Sequence, residues 1–169
     1  MSDEALAAAS AQACDLIKAQ GMWRHADWIL VFAPLRREPD IWPLVEEALL
    51  AGKSVALPRF HPPTGKYEAC EVKNLQDDIA SGHWSIREPR ERCAVALNQL
   101  DLVLVPGVAF DLHGRRLGRG KGFYDQLLAA MSGTKCGVAF DQQIVREVPI
   151  EPHDVHVNCI LTPTRWIEL

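Results

Sequence analysis

Residues 114–122, near the middle of the chain, combine glycines with basic side chains. Glycine lets the backbone approach a ligand closely and leaves its N–H groups accessible as donors. One small anion does not need four cations, whereas a polyphosphate could use most of them. The segment therefore predicts a phosphate-binding loop, and a solvent-exposed basic turn is the alternative. The cations are Arg115, Arg116, Arg119 and Lys121.

The elements on either side of this loop must position it. An apolar run at residues 102–105 is closed by Pro106 and Gly107, which is typical of a buried strand. After the loop, apolar residues recur with helical spacing at Tyr124, Leu127, Leu128 and Met131. The pattern predicts strand, loop and helix, and the helix N-terminus would add N–H donors and the positive end of its dipole. Asp125 follows the loop directly, where a carboxylate can hold Mg²⁺ against phosphate oxygens.

Two common phosphate-binding motifs do not match this segment. A Walker A loop requires G-x-x-x-x-G-K-[ST], but here five residues separate Gly114 from Gly120, and Gly122 follows the lysine. A Rossmann fingerprint requires G-x-G-x-x-G, but the spacing here is G-x-G-x-G. The loop therefore belongs to neither of these nucleotide-binding classes.

The sequence RLGRGKGFYD at residues 116–125, preceded by PGVAFDLHG at residues 106–114, resembles the signature of 5-formyltetrahydrofolate cyclo-ligases, also called methenyltetrahydrofolate synthetases. The resemblance covers most of the chain. It implies ATP-dependent cyclisation of 5-formyltetrahydrofolate to 5,10-methenyltetrahydrofolate, with release of ADP and phosphate. ATP is then a co-substrate and Mg²⁺ the expected metal.

The same resemblance implies roles for single residues. Arg116 and Lys121 match catalytic positions that hold the nucleotide phosphates and the phosphorylated intermediate, and Asp125 matches the Mg²⁺ ligand. The implied nucleotide-binding residues are Arg115, Gly118, Arg119, Gly120, Lys121, Gly122, Phe123 and Tyr124. Phe123 stands where the family usually has a tyrosine.

The folate side is implied by residues further from the loop. Glu38 matches a glutamate that binds the pterin ring, and a carboxylate suits the adjacent N–H donors of a pterin. Without the resemblance, Glu38 would be interpreted as a solvated charge and Trp84 as a core residue. The implied substrate-binding residues are Glu38, Arg59, Trp84 and Tyr124. Asp154 matches another frequent carboxylate, to which no role is assigned.

One departure from the family concerns the N-terminus. Family members usually begin with a basic helix whose lysine and arginine reach the ATP phosphates, and this chain starts about where that helix ends. Three explanations stay open: a longer native N-terminus, a relative that binds folate or nucleotide without this turnover, or substitution by Arg24, Arg36 or Arg37. A different enzyme of the same architecture, acting on sugar phosphates or acyl-CoA, is a further alternative. Asn158 is a smaller departure, because the family often has aspartate there.

The remaining chain alternates predicted helices and strands. Helices are expected at residues 2–19 and 40–52, with one helical turn at 75–80. Strands are expected at residues 28–32, 54–57, 67–72, 136–140 and 157–161. Pro58 and Arg59 would lie at a strand's carboxyl end, where ligands bind in open α/β sheets. The alternation predicts an α/β fold, a three-layer α/β/α domain over residues 1–169 with a mostly parallel sheet. The family resemblance implies a sugar-phosphate isomerase/CoA transferase-like architecture.

Charge and composition exclude several classes. The net charge is −4, which argues against general nucleic-acid binding and makes the basic loop a local feature. No apolar run approaches membrane-spanning length, and the acidic N-terminus is not a secretory signal. The histidines form no zinc-binding spacing. Five widely spaced cysteines suggest reduced, mostly buried thiols and a cytoplasmic protein, which we expect to be a monomer or weak dimer.

Overall fold

Short apolar strands build the centre of the fold, as their β-branched and aliphatic composition predicts. The computed structural model describes residues 1–120 and 122–169, with every side chain in those ranges except that of Phe123. The strands in these ranges are β1 (Trp28–Leu30), β2 (Ser54–His61), β3 (Lys66–Val72), β4 (Ile79–Ser81), β5 (Arg87–Pro89), β6 (Leu102–Pro106), β7 (Ala109–Phe110), β8 (Arg116–Leu117), β9 (Thr134–Val138), β10 (Cys159–Leu161) and β11 (Trp166–Glu168). The α-helices are α1 (Asp3–Lys18), α2 (Gly21–His25), α3 (Trp42–Leu50) and α4 (Phe123–Ala129).

Seven strands form the main sheet in the order β11-β10-β9-β6-β1-β2-β3. The pairs from β10 through β9, β6 and β1 to β2 are parallel, and β3 and β11 add antiparallel edges. The strand pairs β4–β5 and β7–β8 form separate two-stranded sheets. The predicted α/β fold with a mostly parallel sheet is therefore confirmed.

Alternate residues of the central strands face opposite sides of the sheet. In β6, Leu102 and Leu104 belong to one buried cluster, whereas Val103 and Val105 belong to the other. The first cluster includes buried residues of α1 and α3, and the second includes Leu127 and Leu128 of α4. Helices thus cover both faces, which is why the central strands are almost uniformly apolar.

Several local features of the structure differ from the sequence-based expectations. The helical turn expected at residues 75–80 is wrong, because Ile79 and Ala80 pair with β5 as part of β4. Strand β2 does not end before Pro58 but continues to His61 in a hairpin with β3. Its parallel pairing with β1 ends at Ala56, so Pro58 interrupts no ladder on that side. The antiparallel edge strand β11 was not predicted at all.

Most of the cysteines are buried, as expected. Burial raises the pKa of the Cys14 and Cys70 thiols to about 11, so both stay protonated at neutral pH. Cys93 is the exposed exception. Among the described residues, no helix combines the length and the hydropathy needed to cross a bilayer.

Asp111 stabilises the hairpin that carries the basic loop. Its buried carboxylate accepts hydrogen bonds from the backbone N–H groups of His113, Arg115 and Val148, at 2.9, 3.1 and 2.8 Å. Burial opposes ionisation, but these bonds and the Arg115 guanidinium outweigh it and lower the pKa of Asp111.

We expect Asp111→Asn to lower the free energy of unfolding by about 3 kcal/mol, because its amide N–H₂ would face the Val148 N–H donor. Since the folded-state pKa of Asp111 is depressed, its stabilisation is complete above the ordinary value of about 3.9 and is lost as the pH falls through the folded-state pKa. Urea unfolding between pH 3 and 7 measures both effects. If the free energy of unfolding of the variant fell as steeply with decreasing pH as that of the wild-type chain, Asp111 would not be the source of the pH dependence.

Candidate active site

A cavity of about 660 Å³ opens at the carboxyl ends of the adjacent parallel strands β1 and β6. Phe32 and Ala33 follow β1, Pro106 ends β6, and all three line the cavity. This is the edge where α/β sheets bind ligands, and the volume is in the usual range for small-molecule sites.

The glycine-rich loop forms one wall of this cavity. Gly118, Gly120 and Gly122 all line it, together with Arg116 and Arg119. A Cβ at Gly118 would lie 3.0 Å from Nη1 of Arg116, so a side chain there would crowd the guanidinium. Gly122 caps α4 with a φ of 66°, a conformation that glycine adopts without strain.

Arg116 is held by the protein on several sides. Its side chain is 5% exposed. Nη1 donates to the Pro106 carbonyl at 3.2 Å, and Nη2 donates to Oδ1 of Asp125 at 3.1 Å. Its guanidinium also lies 5.7 Å from the centroid of the Tyr124 ring. These contacts fix a positive charge in the cavity wall before any ligand binds.

Arg119 joins the loop to the segment after β1. Its Nη2 donates to Oε1 of Glu38 at 3.0 Å, across 81 positions of sequence. The Glu38 side chain is only 7% exposed, and its Oε2 accepts the backbone N–H of Leu35 at 2.9 Å. Two residues to which the family resemblance assigned different ligands are therefore in direct contact.

The Tyr124 hydroxyl is buried at the cavity and has no hydrogen-bond partner among the described residues. Burial raises the pKa of Tyr124 far above its ordinary value; the Arg116 guanidinium opposes this shift, and Glu38 adds to it. The hydroxyl is thus a neutral donor at every working pH.

We expect Tyr124→Phe to raise the melting temperature of the ligand-free chain by about 2–4 °C, because it removes a buried polar group without a partner. The same change lowers kcat/KM about tenfold if a substrate accepts that hydroxyl's hydrogen bond. Calorimetry and steady-state kinetics on one preparation measure the two effects. A lower melting temperature would show that the hydroxyl is already satisfied in the free protein.

Trp84 lies in a strained turn. Trp84 and Ser85 have φ values of 54° and 58°, which non-glycine residues rarely adopt. The neighbouring His83 ring stacks on Phe60, with 3.9 Å between ring centroids and 12° between planes. The Trp84 side chain is half-exposed and lines the cavity. Such strain is concentrated at functional sites, where it holds a side chain in a required direction.

Two predicted site residues do not line the cavity. Arg59 points its Nε to the Pro89 carbonyl at 3.1 Å, because β2 continues past it as a hairpin strand. Arg115 pairs with Glu147 at 2.9 Å and lies near Asp111. Lys121 and the side chain of Phe123 lie outside the described residues. The other predicted site residues, Glu38, Trp84, Arg116, Gly118, Arg119, Gly120, Gly122, Tyr124 and Asp125, line one cavity.

The cavity also includes residues that the sequence did not single out. Tyr67 of β3 and Arg87 of β5 line it, as do four residues of the segment after Val148, beside Asp154: Pro149, Ile150, Glu151 and His153. Within that segment, ligand atoms of Glu151, His153 and Asp154 lie within 4.8 Å of one another. No local motif marked these residues, apart from the unassigned carboxylate of Asp154. Asp125 and this cluster are described groups of the cavity that could hold a metal ion.

Comparisons with known proteins agree with this geometry. Residues 1–163 match the model of the 5-formyltetrahydrofolate cyclo-ligase family. The chain is 34% identical over 145 residues to the 5-formyltetrahydrofolate cyclo-ligase of Escherichia coli strain K12, covering 83% of this chain and 80% of that protein. It is 32% identical over 150 residues to the enzyme of the same name from Mycolicibacterium smegmatis, covering 82% and 75% of the two chains.

Solved structures give the same result. The NMR structure of Aquifex aeolicus 5,10-methenyltetrahydrofolate synthetase matches with a TM-score of 0.89 and 30% identity, covering 99% of this chain and 84% of that one. A 5,10-methenyltetrahydrofolate synthetase from Mycoplasma pneumoniae matches with a TM-score of 0.75 at 19% identity, covering 96% and 90% of the two chains, and supports the fold alone. Since the family model spans nearly the whole sequence and the relatives match over most of their length, this chain belongs to the 5-formyltetrahydrofolate cyclo-ligase family.

Proposed function

We propose that residues 1–169 act as one cyclo-ligase domain, which converts 5-formyltetrahydrofolate and ATP into 5,10-methenyltetrahydrofolate, ADP and phosphate. One observation carries the proposal besides family membership. The basic glycine-rich loop and the buried carboxylate of Glu38 meet in a single cavity. A phosphate-binding wall and a pterin-binding carboxylate are therefore close enough to bring the two substrates together.

In the proposed reaction, the formyl oxygen attacks the γ-phosphate in line and ADP leaves. N10 of the folate then attacks the activated iminium carbon and loses its proton to solvent, and phosphate leaves as the ring closes. Arg116 and Arg119 neutralise charge on the transferred phosphoryl group, and Lys121 is assigned the same task by its place in the family motif. The chain contributes positioning and fixed charge, so no covalent nucleophile is required.

Glu38 is proposed to accept paired N–H donors of the pterin ring. A carboxylate has about four acceptor sites, so bonds to Leu35 and Arg119 leave room for a ligand. Trp84 and Tyr124 would contact the aromatic parts of the folate. The contact of Arg59 with Pro89 does not support a direct role for Arg59 in this site.

The residues present fit Mg²⁺, because the carboxylates of Asp125 and Asp154 both line the cavity. Magnesium is usually held by one or two carboxylates together with substrate phosphates. When bound, the ion would neutralise phosphate charge. Arg116 holds Asp125 in place from the protein side, through the 3.1 Å contact. We further propose that the protein acts in the cytoplasm, because its buried thiols suit a reducing compartment. We also propose that it is a monomer or weak dimer.

The test is to follow the absorbance of the methenyl product after adding Mg²⁺-ATP and 5-formyltetrahydrofolate. We expect absorbance to rise with the wild-type chain and to be lost with Asp125→Ala or Lys121→Ala. No rise, with folate still bound in a calorimeter, would instead support a relative that binds folate or nucleotide without this turnover. Thermal protection by a sugar phosphate or acyl-CoA, and none by folate, would reject the folate assignment.

A further inference from the structure

The β4–β5 hairpin forms part of the cavity wall. Trp84 in its connecting turn, together with Ile86 and Arg87, lines the cavity. An exposed aromatic ring, an aliphatic side chain and a cation thus follow one another along this wall. This order of side chains suits a ligand that has an aromatic part followed by an anionic end.

Arg87 differs from the other described guanidinium groups of the cavity. Arg116 is paired with Asp125 at 3.1 Å, and Arg119 is paired with Glu38 at 3.0 Å. Among the described residues, no carboxylate forms an ion pair with Arg87. Its positive charge is therefore available to a ligand that brings its own negative charge.

The orientation of the Arg87 side chain is nevertheless set by a contact within the protein. Its guanidinium carbon lies 4.4 Å from the centroid of the Trp42 ring. Trp42, the first residue of α3, is half-buried against the core, so it offers a fixed platform. A cation–π contact of this kind orients the guanidinium group and leaves its N–H groups free to bind a carboxylate.

We infer that Arg87 binds the glutamate carboxylate of the reduced folate, with Trp84 and Ile86 covering the aminobenzoyl ring. This inference rests on the proposed function, because the ligand is the folate substrate. A reduced folate has a pterin, an aromatic amide and a glutamate in that order. With the pterin at Glu38, the glutamate would reach Arg87, which is exposed to solvent and lines the same cavity. Arg87 would thereby favour substrates with free glutamate carboxylates.

The experiment compares 5-formyltetrahydrofolate with its diamide, in which both glutamate carboxylates are amides. Calorimetry gives Kd for both ligands, and methenyl absorbance gives KM and kcat. The variants are Arg87→Gln, which removes the charge, and Arg87→Lys, which keeps it. Arg146→Gln is the matched control, since Arg146 is also exposed but does not line the cavity.

We expect the wild-type chain to bind the acid about tenfold more tightly than the diamide. Arg87→Gln abolishes this preference, raises KM for the acid and leaves kcat and ATP binding unchanged. Arg87→Lys recovers part of the preference, and Arg146→Gln retains all of it. Added salt weakens the preference, because the contact is exposed to solvent.

A preference that persists in Arg87→Gln would overturn the inference while the proposed function stands. Equal weakening of both ligands would also overturn it, because Arg87 would then act on the shape of the wall rather than on a carboxylate. A wild-type chain that melts cooperatively but binds neither ligand would reject the proposed function itself.

Discussion

We expect Arg116→Ala to lower kcat about 10³-fold, the scale of loss when an arginine that stabilises phosphoryl transfer is removed. The Arg116 fork is anchored on Pro106 and Asp125 and is almost fully enclosed, so its charge is in place before the substrates arrive. A charge that needs no rearrangement acts mainly on the transition state. Methenyl absorbance under saturating ATP and folate measures kcat, and calorimetry measures ATP binding.

Two further variants sharpen this experiment. Arg116→Lys keeps the charge but cannot reach Pro106 and Asp125 together, so it should recover only part of kcat. Arg92→Ala is the control, because Arg92 pairs with Glu68 at 2.7 Å, is half-exposed and does not line the cavity. A folded Arg116→Ala chain with wild-type kcat would show that other cations carry the phosphoryl charge.

The second large effect is expected at Glu38. Glu38→Gln should raise KM for 5-formyltetrahydrofolate about 10²-fold, from lost charge-assisted bonds. The amide oxygen can still accept the Leu35 N–H, so the local backbone should be preserved. Its N–H₂ group would oppose the pterin donors, and the ion pair with Arg119 would be lost. Steady-state kinetics and folate calorimetry measure the effect.

The affinity for ATP distinguishes two roles of Glu38. Without the ion pair to residue 38, the Arg119 guanidinium can still bind phosphate, so the affinity for ATP should not fall. An equal loss of ATP and folate affinity would show that Glu38 acts by ordering the loop rather than by binding the pterin. Glu47→Gln is the control, because Glu47 forms a half-exposed pair with Lys18 at 3.1 Å, on α3 and away from the cavity.

The sequence by itself determined the elements whose signals are local. Apolar runs and helical spacing predicted the central parallel strands and the principal helices. Both signals are local, because the buried positions of a strand or helix recur at a fixed spacing within a short stretch of sequence. The glycine and cation spacing marked the loop, and Asp125 was identified beside it, for the same reason. Residues 75–80 were predicted wrongly because six residues with three apolar positions do not distinguish a helical turn from a turn followed by a short strand.

Only the tertiary structure decided which side chains share the cavity. Arg115 and Arg116 are neighbours of the same type, but an extended backbone sends adjacent side chains to opposite sides. One therefore pairs with Glu147, and the other lines the cavity. The contact between Glu38 and Arg119 and the contact of the Arg87 guanidinium with the Trp42 ring depend on how distant segments of the chain pack. Such contacts join residues far apart in the chain, so no local pattern encodes them.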